Sequence, residues 1–184
     1  MRSIPLPSPP LTDGDILLRG WERGDAPAVT AACQDPQIPR WTVVPHNYTE
    51  RHARDFIHGA NGDRAAGREL ALAIVDADDR LLGALGISNF AWTDLKAEIG
   101  YWMAPEARRR GIGARATRML AEWAITTLGL ERLELLANPE NEASQRLAVR
   151  AGFTREGLLR RYRRRHGVRE DLVMFSLLAE DLDE

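Results

Sequence analysis

The segment Ala104–Ala116 reads APEARRRGIGARA and sets Arg108, Arg109 and Arg110 directly before the step Gly111-Ile112-Gly113. Residue types in that order bind anions. Glycine removes the Cβ atoms that hold a ligand away from the main chain, so successive backbone N–H groups converge on phosphate oxygens. From Ile112 apolar residues recur at helical spacing (Ile112, Ala116, Met119, Leu120, Trp123), so the step opens a helix whose positive end adds to the same anion site. With three arginines around it, a pyrophosphate fits better than a lone carboxylate. The competing reading is a tight glycine turn into a helix, with solvated arginines.

Two other phosphate loops share part of this pattern. Gly111-Ile-Gly113-Ala-Arg-Ala116 satisfies GxGxxG/A, and Glu134 follows at about the 20 residues expected of a ribose-binding acid. In a dinucleotide fold, however, the first glycine ends a strand, whereas Ala104–Arg110 intervenes after the strand ending at Met103. No Gly-Lys-Ser/Thr follows the glycines, which excludes a Walker A loop.

The elements that must position this loop are read from periodicity. Residues 15–19 predict a strand and 24–34 a helix; Pro36, Pro39 and Pro45 punctuate a loop into a second helix over 49–59, with Thr49 as its cap. Residues 69–75 and 80–88 read as a hairpin, and 97–103 as the next strand. After the loop helix, a strand over 131–137 completes a strand-helix-strand crossover with parallel ends. Asn138-Pro139-Glu140 predicts a capped helix start and Gly152 its end; residues 153–158 and 171–178 are two closing strands joined by an arginine-rich connection.

Composition narrows the class. With 44% hydrophobic and 28% charged residues in a chain of 184, one soluble globular domain is expected rather than a fibre or a disordered chain. No apolar run reaches membrane-spanning length, and prolines at 5, 7, 9 and 10 occupy the place of a signal peptide's apolar region. Residues 1–14 read as a flexible Pro-rich tail and 15–184 as the folded domain. Cys33 is the lone cysteine, which suits a reducing, cytoplasmic setting. His46, His52, His58 and His166 have neither cysteine partners nor HExxH spacing, so no metal site is expected. Residues 155–169 hold seven arginines against the single acid Glu156 in a chain of net charge −2, so the remainder is acidic. Such a segment is either a docking surface for an anionic partner or a solvated hairpin.

The loop Arg108–Ala114 resembles the coenzyme A signature Q/R-x-x-G-x-G/A of the GNAT superfamily of N-acetyltransferases. AEIGYWMAPEARRRGIG around it and NPENEASQRLAVRAGF after it are similar to the RimJ/RimL branch, whose members acetylate ribosomal-protein N-termini. With FTREG and the closing DLVMFSLL, the resemblance covers the chain from Ile16 onward. It implies an α+β fold: a single GNAT-like domain with a mixed, mostly antiparallel central sheet of about seven strands, flanked by about four helices. Strands 4 and 5, ending at Met103 and near Ala137, would splay apart. It further implies acetyl-CoA as cosubstrate, with its pyrophosphate on Arg108, Arg109, Arg110, Gly111, Ile112, Gly113 and Ala114. The pantetheine arm would lie in the splay against Trp102 and Met103, whose free N–H groups also stabilise the thioester oxygen as it gains charge. Asn141 and Ser144 match the family's N-x-x-S, with Asn141 beside the pantetheine and Ser144 beside the sulfur as an acid. Read without the family, Asn141 is a helix-terminus residue and Ser144 a small residue in a packed turn.

The reaction implied is direct attack of a neutral amine on the thioester, with no acyl-enzyme and no role for Cys33. An α-amine of pKa about 8 is roughly 10% neutral at pH 7, against about 0.04% for lysine, so an N-terminal acceptor tolerates a weak base. Glu98 is the base candidate, alone or through water; the alternative is a solvent-facing strand position. Trp41, Tyr48 and Tyr101 either line the acceptor pocket or belong to the core. Some RimL-type enzymes carry a further acid between the last two strands, whereas residues 158–165 here hold no carboxylate. Three functions compete: acetylation of a protein N-terminus, acetylation of a small amine such as a polyamine or aminoglycoside, and non-catalytic binding of coenzyme A or RNA. The partners expected are the amine acceptor and a ribosome or RNA contact through Arg155–Arg169, with no membrane, in a monomer or homodimer.

Overall fold

A computed structural model describes residues 3–165 and 167–182. Its elements run β1 (Leu11–Asp13), β2 (Ile16–Arg19), α1 (Ala26–Ala32), α2 (Gln37–Trp41), α3 (Glu50–Ala65), β3 (Leu70–Asp76), β4 (Leu81–Ala91), β5 (Lys96–Met103), α4 (Ile112–Trp123), β6 (Arg132–Ala137), α5 (Glu142–Arg150), β7 (Thr154–Arg165) and β8 (Val168–Leu178). The fold is α+β, and its strands form one open sheet in the order β1-β2-β3-β4-β5-β6-β8-β7. Every neighbouring pair is antiparallel except β5 and β6, which run parallel and pair only from Lys96–Arg132 to Glu98–Glu134. Past that point they part, so the expected splay falls between β5 and β6.

Strand alternation divides the core in two. One face of the sheet, with Leu72, Leu85, Ile87 and Ile99, packs on Ile112, Ala116 and Leu120 of α4 and Ala148 of α5. The other, with Ala73, Val75 and Ala84, packs on Val29 of α1 and Ala53 and Ile57 of α3. Thr49 caps α3, accepting the His52 N–H while His52 Nδ1 accepts the Thr49 N–H.

Eight strands and five α-helices are present among the described residues, close to the expected totals of about seven and about four. Other expectations are corrected. The segment before residue 15 is held rather than free: Ile4 is fully buried, Arg64 Nη1 donates to its carbonyl at 2.8 Å, and Leu11–Asp13 pair with β2. Helix α2 forms across Pro39 because that proline falls in the first turn, where N–H groups have no helical partner to lose. Helix α5 begins three residues late. Asn138 Oδ1 accepts the Glu140 N–H and closes a turn, leaving Asn141 as the cap. The arginine-rich connection is itself strand, since Arg163 and Arg164 stand opposite Glu170 and Arg169 across β7 and β8. His166, one of the four histidines, lies outside the described residues.

Candidate active site

From Met103 the chain makes one 3-10 turn, Pro105–Ala107, and enters α4 through Arg108–Gly111. Arg109 and Gly111 both adopt left-handed backbone angles, φ 61° and 76°. A Cβ at Gly111 would meet nothing within 4 Å, so open space fronts the α4 N-terminus, and no side chain caps its first N–H groups. Arg109 and Arg110 stand exposed beside that space, with no hydrogen bond or ion pair among the described residues.

Arg108 and Gly113 do something else. Arg108 Nε donates to the Met103 carbonyl at 3.1 Å, and its terminal nitrogens grip Asp35 Oδ2 and Oδ1 at 3.2 and 3.0 Å. Burial pushes the Asp35 carboxyl up, but hydrogen bonds from Arg108 and the Gln37 N–H outweigh it and hold it below the ordinary carboxylate value. The first arginine of the signature therefore fixes the loop to the turn between α1 and α2. Gly113 is buried, and a Cβ there would lie 2.7 Å from Leu147 Cδ1 and 3.3 Å from the Met103 sulfur. Its missing side chain lets α5 and β5 close on α4. Ile112 is buried beneath it and Ala114 half-buried. Arg115 ties α4 to the β1–β2 turn through Asp13 and Asp15, at 2.7 and 2.8 Å.

Beyond Glu98 one edge of β5 is unpaired while the other stays bonded to β4 as far as Met103. Tyr101 and Met103 point to the α4–α5 side. There Ser144 is buried on α5, and its hydrogen bond to the Tyr101 phenol partly offsets the burial that pushes that phenol up to about 12. Asn141 Oδ1 accepts the Ser144 N–H at 3.1 Å. The loop, Met103, Tyr101, Asn141 and Ser144 thus border one mouth of the splay.

Glu98, Gly100 and Trp102 point to the α1–α3 side. Glu98 accepts from Asn89 Nδ2 at 2.9 Å and lies 3.8 Å from Arg163 Nη1. Around it stand carboxylates the sequence reading did not single out for this face. Glu134 pairs with Arg132 at 2.9 Å and Lys96 at 3.4 Å, and Glu156 with Arg132 at 2.7 Å. Glu170 pairs with Arg163 and Arg165 at 3.4 and 2.8 Å. Burial raises the Glu170 carboxyl, but Arg165 and then Arg163 bring it below its ordinary value. Glu170 stands on β8, outside residues 158–165, and faces Arg163 across the hairpin. The period-2 pairing of Arg163 with Glu170 is the signal that identifies it, once the register is known.

Of the three aromatic candidates, Tyr101 borders the splay and Trp41 ends α2, its Nε1 donating to Gln37 at 3.0 Å under the Arg40 guanidinium. Arg165 holds α2 to this side by donating to the Pro39 and Arg40 carbonyls. Tyr48 is a core residue, 8% exposed. Burial, with a smaller effect from nearby Cys33, pushes the Tyr48 phenol up to about 12. The Cys33 thiol is pushed up to about 12 by burial and stays protonated. A cavity of about 630 Å³ between α1, the β3–β4 turn and Pro105–Glu106 touches none of the candidate residues. No three His, Cys, Asp or Glu side chains among the described residues are placed to hold a metal, and no described helix is long and apolar enough to cross a membrane.

A gap between two parallel strands, with an open anion-binding helix N-terminus at one mouth, fits an acyl donor carrying a pyrophosphate. These are features of a coenzyme A-dependent acyltransferase. An acetyltransferase (GNAT) domain matches residues 15–154, and the chain belongs to the GNAT acetyltransferase family. It is 29% identical over 167 residues to uncharacterized N-acetyltransferase p20 of Bacillus licheniformis, covering 90% of this chain and 94% of that protein. It is 24% identical over 103 residues to the ribosomal-protein-serine acetyltransferase of Escherichia coli, 56% and 58% of the two chains. Its fold matches that of Mycobacterium smegmatis RimJ, solved with CoA-disulfide, at TM-score 0.83 and 26% identity over 92% of this chain and 84% of that one. The protein is an N-acetyltransferase with acetyl-CoA as cosubstrate.

Proposed function

We propose that the acceptor is the N-terminal α-amine of a protein, in the ribosomal setting that the names of its relatives suggest. The observation that carries this reading is the charge balance on the Glu98 face. Glu98, Glu134, Glu156 and Glu170 are each matched by Lys96, Arg132, Arg163 or Arg165. Such a surface has no surplus negative charge to draw a polycation and suits an amine that is partly neutral at pH 7.

The N–H groups of Gly111, Ile112, Gly113 and Ala114, with Arg109 and Arg110, hold the pyrophosphate. The free edge at Met103 meets the pantetheine arm, with Asn141 beside it. The N–H of Trp102, expected to be free, is not, because the Ala104 N–H bonds the Leu82 carbonyl and the alternation turns the Trp102 main chain to β4 as well. Bound acetyl-CoA supplies an activated acyl carbon and a thiolate leaving group. Ser144, in contact with Tyr101, donates a proton on the sulfur side, and Glu98 receives the amine proton directly or through water. Arg155, Arg160 and Arg161 on edge strand β7 have side chains with no ion pair among the described residues and form the surface that meets ribosomal RNA beside the acceptor protein.

A second reading, polyamine acetylation, has support from the spermidine N(1)-acetyltransferase of Escherichia coli, 27% identical over 86 residues. Thiol release from acetyl-CoA against peptides of varied N-terminal residue, spermidine and an aminoglycoside separates the two. Preference for peptides is expected; higher kcat/KM on spermidine overturns the proposal.

A further inference from the structure

Gly100 sits in the middle of β5, opposite Gly86, yet it is exposed. Glycine in a strand interior weakens the strand and needs a reason. Backbone conformation is not the reason, because Gly100 has no positive φ and its pairing with β4 is continuous from Gly83–Met103 to Ser88–Glu98. Crowding is not the reason either, because a Cβ there would meet nothing within 4 Å. Gly86 across the ladder is different: its Cβ would lie 2.7 Å from the Leu70 carbonyl oxygen. What remains is the space itself. Gly100 lies two residues past the last β5–β6 pair, between Glu98 and Trp102 on the same face, away from the coenzyme loop and Ser144.

The geometry points to Gly100 as a specificity-determining residue: the floor over which the carbon bearing the reacting amine passes, kept bare so that an α-branched amine fits. An N-terminal residue other than glycine is such an amine, with a side chain and a peptide carbonyl on one carbon. The inference rests on the proposed N-terminal acceptor and narrows it to branched N-termini.

The test compares wild type with Gly100→Ala and Gly100→Val, using hexapeptides that begin with Ser or Gly and otherwise match, and spermidine beside its α-methylated analogue. In Gly100→Val, kcat/KM on the Ser peptide is expected to fall at least 10-fold and on the Gly peptide less than 3-fold. The acetyl-CoA Kd by calorimetry is expected to stay within 2-fold. Gly100→Ala should retain or raise the thermal midpoint while losing part of the branched-acceptor activity, which separates a functional role from a folding one. Equal losses on branched and unbranched acceptors, or a weakened acetyl-CoA Kd, overturn the inference. If wild type prefers spermidine, the N-terminal reading fails, and the α-methylated pair still tests Gly100 by the same ratio.

Discussion

Asp35→Asn isolates the contact between the coenzyme loop and the α1–α2 turn. The substitution keeps the shape and the acceptor for the Gln37 N–H, but it removes the charge and replaces one of two acceptors facing Arg108 with an amide N–H₂ donor. The pair is largely shielded, with side chains 30% and 20% exposed for Arg108 and Asp35. Hydrogen bonds to charged groups contribute about 1.5–3 kcal/mol in protein interiors, and partial exposure brings the expectation here to about 1–2 kcal/mol. For a chain of this size each kcal/mol lowers the melting midpoint by about 2–4 °C, so a fall of roughly 2–8 °C at pH 7 is expected. The pH dependence follows from the direction of the shift. Asp35 is depressed in the folded state, so its contribution is complete above the unfolded value of about 3.9 and is lost as pH falls through the folded value. Melting of wild type and variant should therefore differ at pH 7 and converge below about pH 4. Because Arg108 also holds the Met103 carbonyl, the variant should weaken acetyl-CoA binding without Arg108 touching the coenzyme. An unchanged midpoint at pH 7, or a gap that persists at low pH, refutes the reasoning.

The two glycines of the signature should fail differently. Gly111→Ala meets no atom but forces alanine into a left-handed conformation at about 1–2 kcal/mol. Gly113→Ala overpacks against Leu147 at about 1–3 kcal/mol, and only the second loss should shrink when combined with Leu147→Ala in denaturant unfolding. Glu156 is held at about 2 by Arg132 first and by Ser176 second. Glu156→Gln should cost up to about 1 kcal/mol at neutral pH, given its exposure, and the difference should vanish as pH falls from about 4.3 toward that value. Glu98→Gln should lower kcat on peptides by about 100-fold or more with the acetyl-CoA Kd unchanged; a small effect removes Glu98 as the base.

The central elements were legible because each carries its own period: the helix from Ile112, the strand ending at Met103 and the strand ending at Ala137 all stand within a residue of their expected ends. What was not legible depended on partners distant in sequence. Ile4 finds its place through burial in the core and through Arg64, 60 residues away, which donates to its carbonyl and accepts its N–H. The seven arginines of residues 155–169 read as one basic block, yet Arg163 and Arg165 are paired with Glu170 across the hairpin and Arg163 with Glu98, and only the register separates them from Arg160 and Arg161. Arg108 is the sharpest case. Its type and position satisfy the coenzyme signature, but its guanidinium faces Asp35, 73 residues earlier, which no local spacing foretells.

The Arg108–Asp35 contact ties the two sides of the splay together. Arg108 belongs to the coenzyme loop and Asp35 to the turn that leads into α2, which Arg165 in turn clamps to the β7–β8 hairpin. Arg165 shares Glu170 with Arg163, and Arg163 reaches Glu98. A series of polar contacts, passing through the backbone of α2, therefore runs from the Arg108–Gly111 loop to the Glu98 carboxylate. Where a link is a partly shielded charge pair, as at Arg108–Asp35 and Arg165–Glu170, removing one member leaves its partner undercompensated rather than free to relax. The position of Glu98 at the last β5–β6 pair is thus set from two directions, by its own strand and by the contacts that lead back to the Arg108–Gly111 loop.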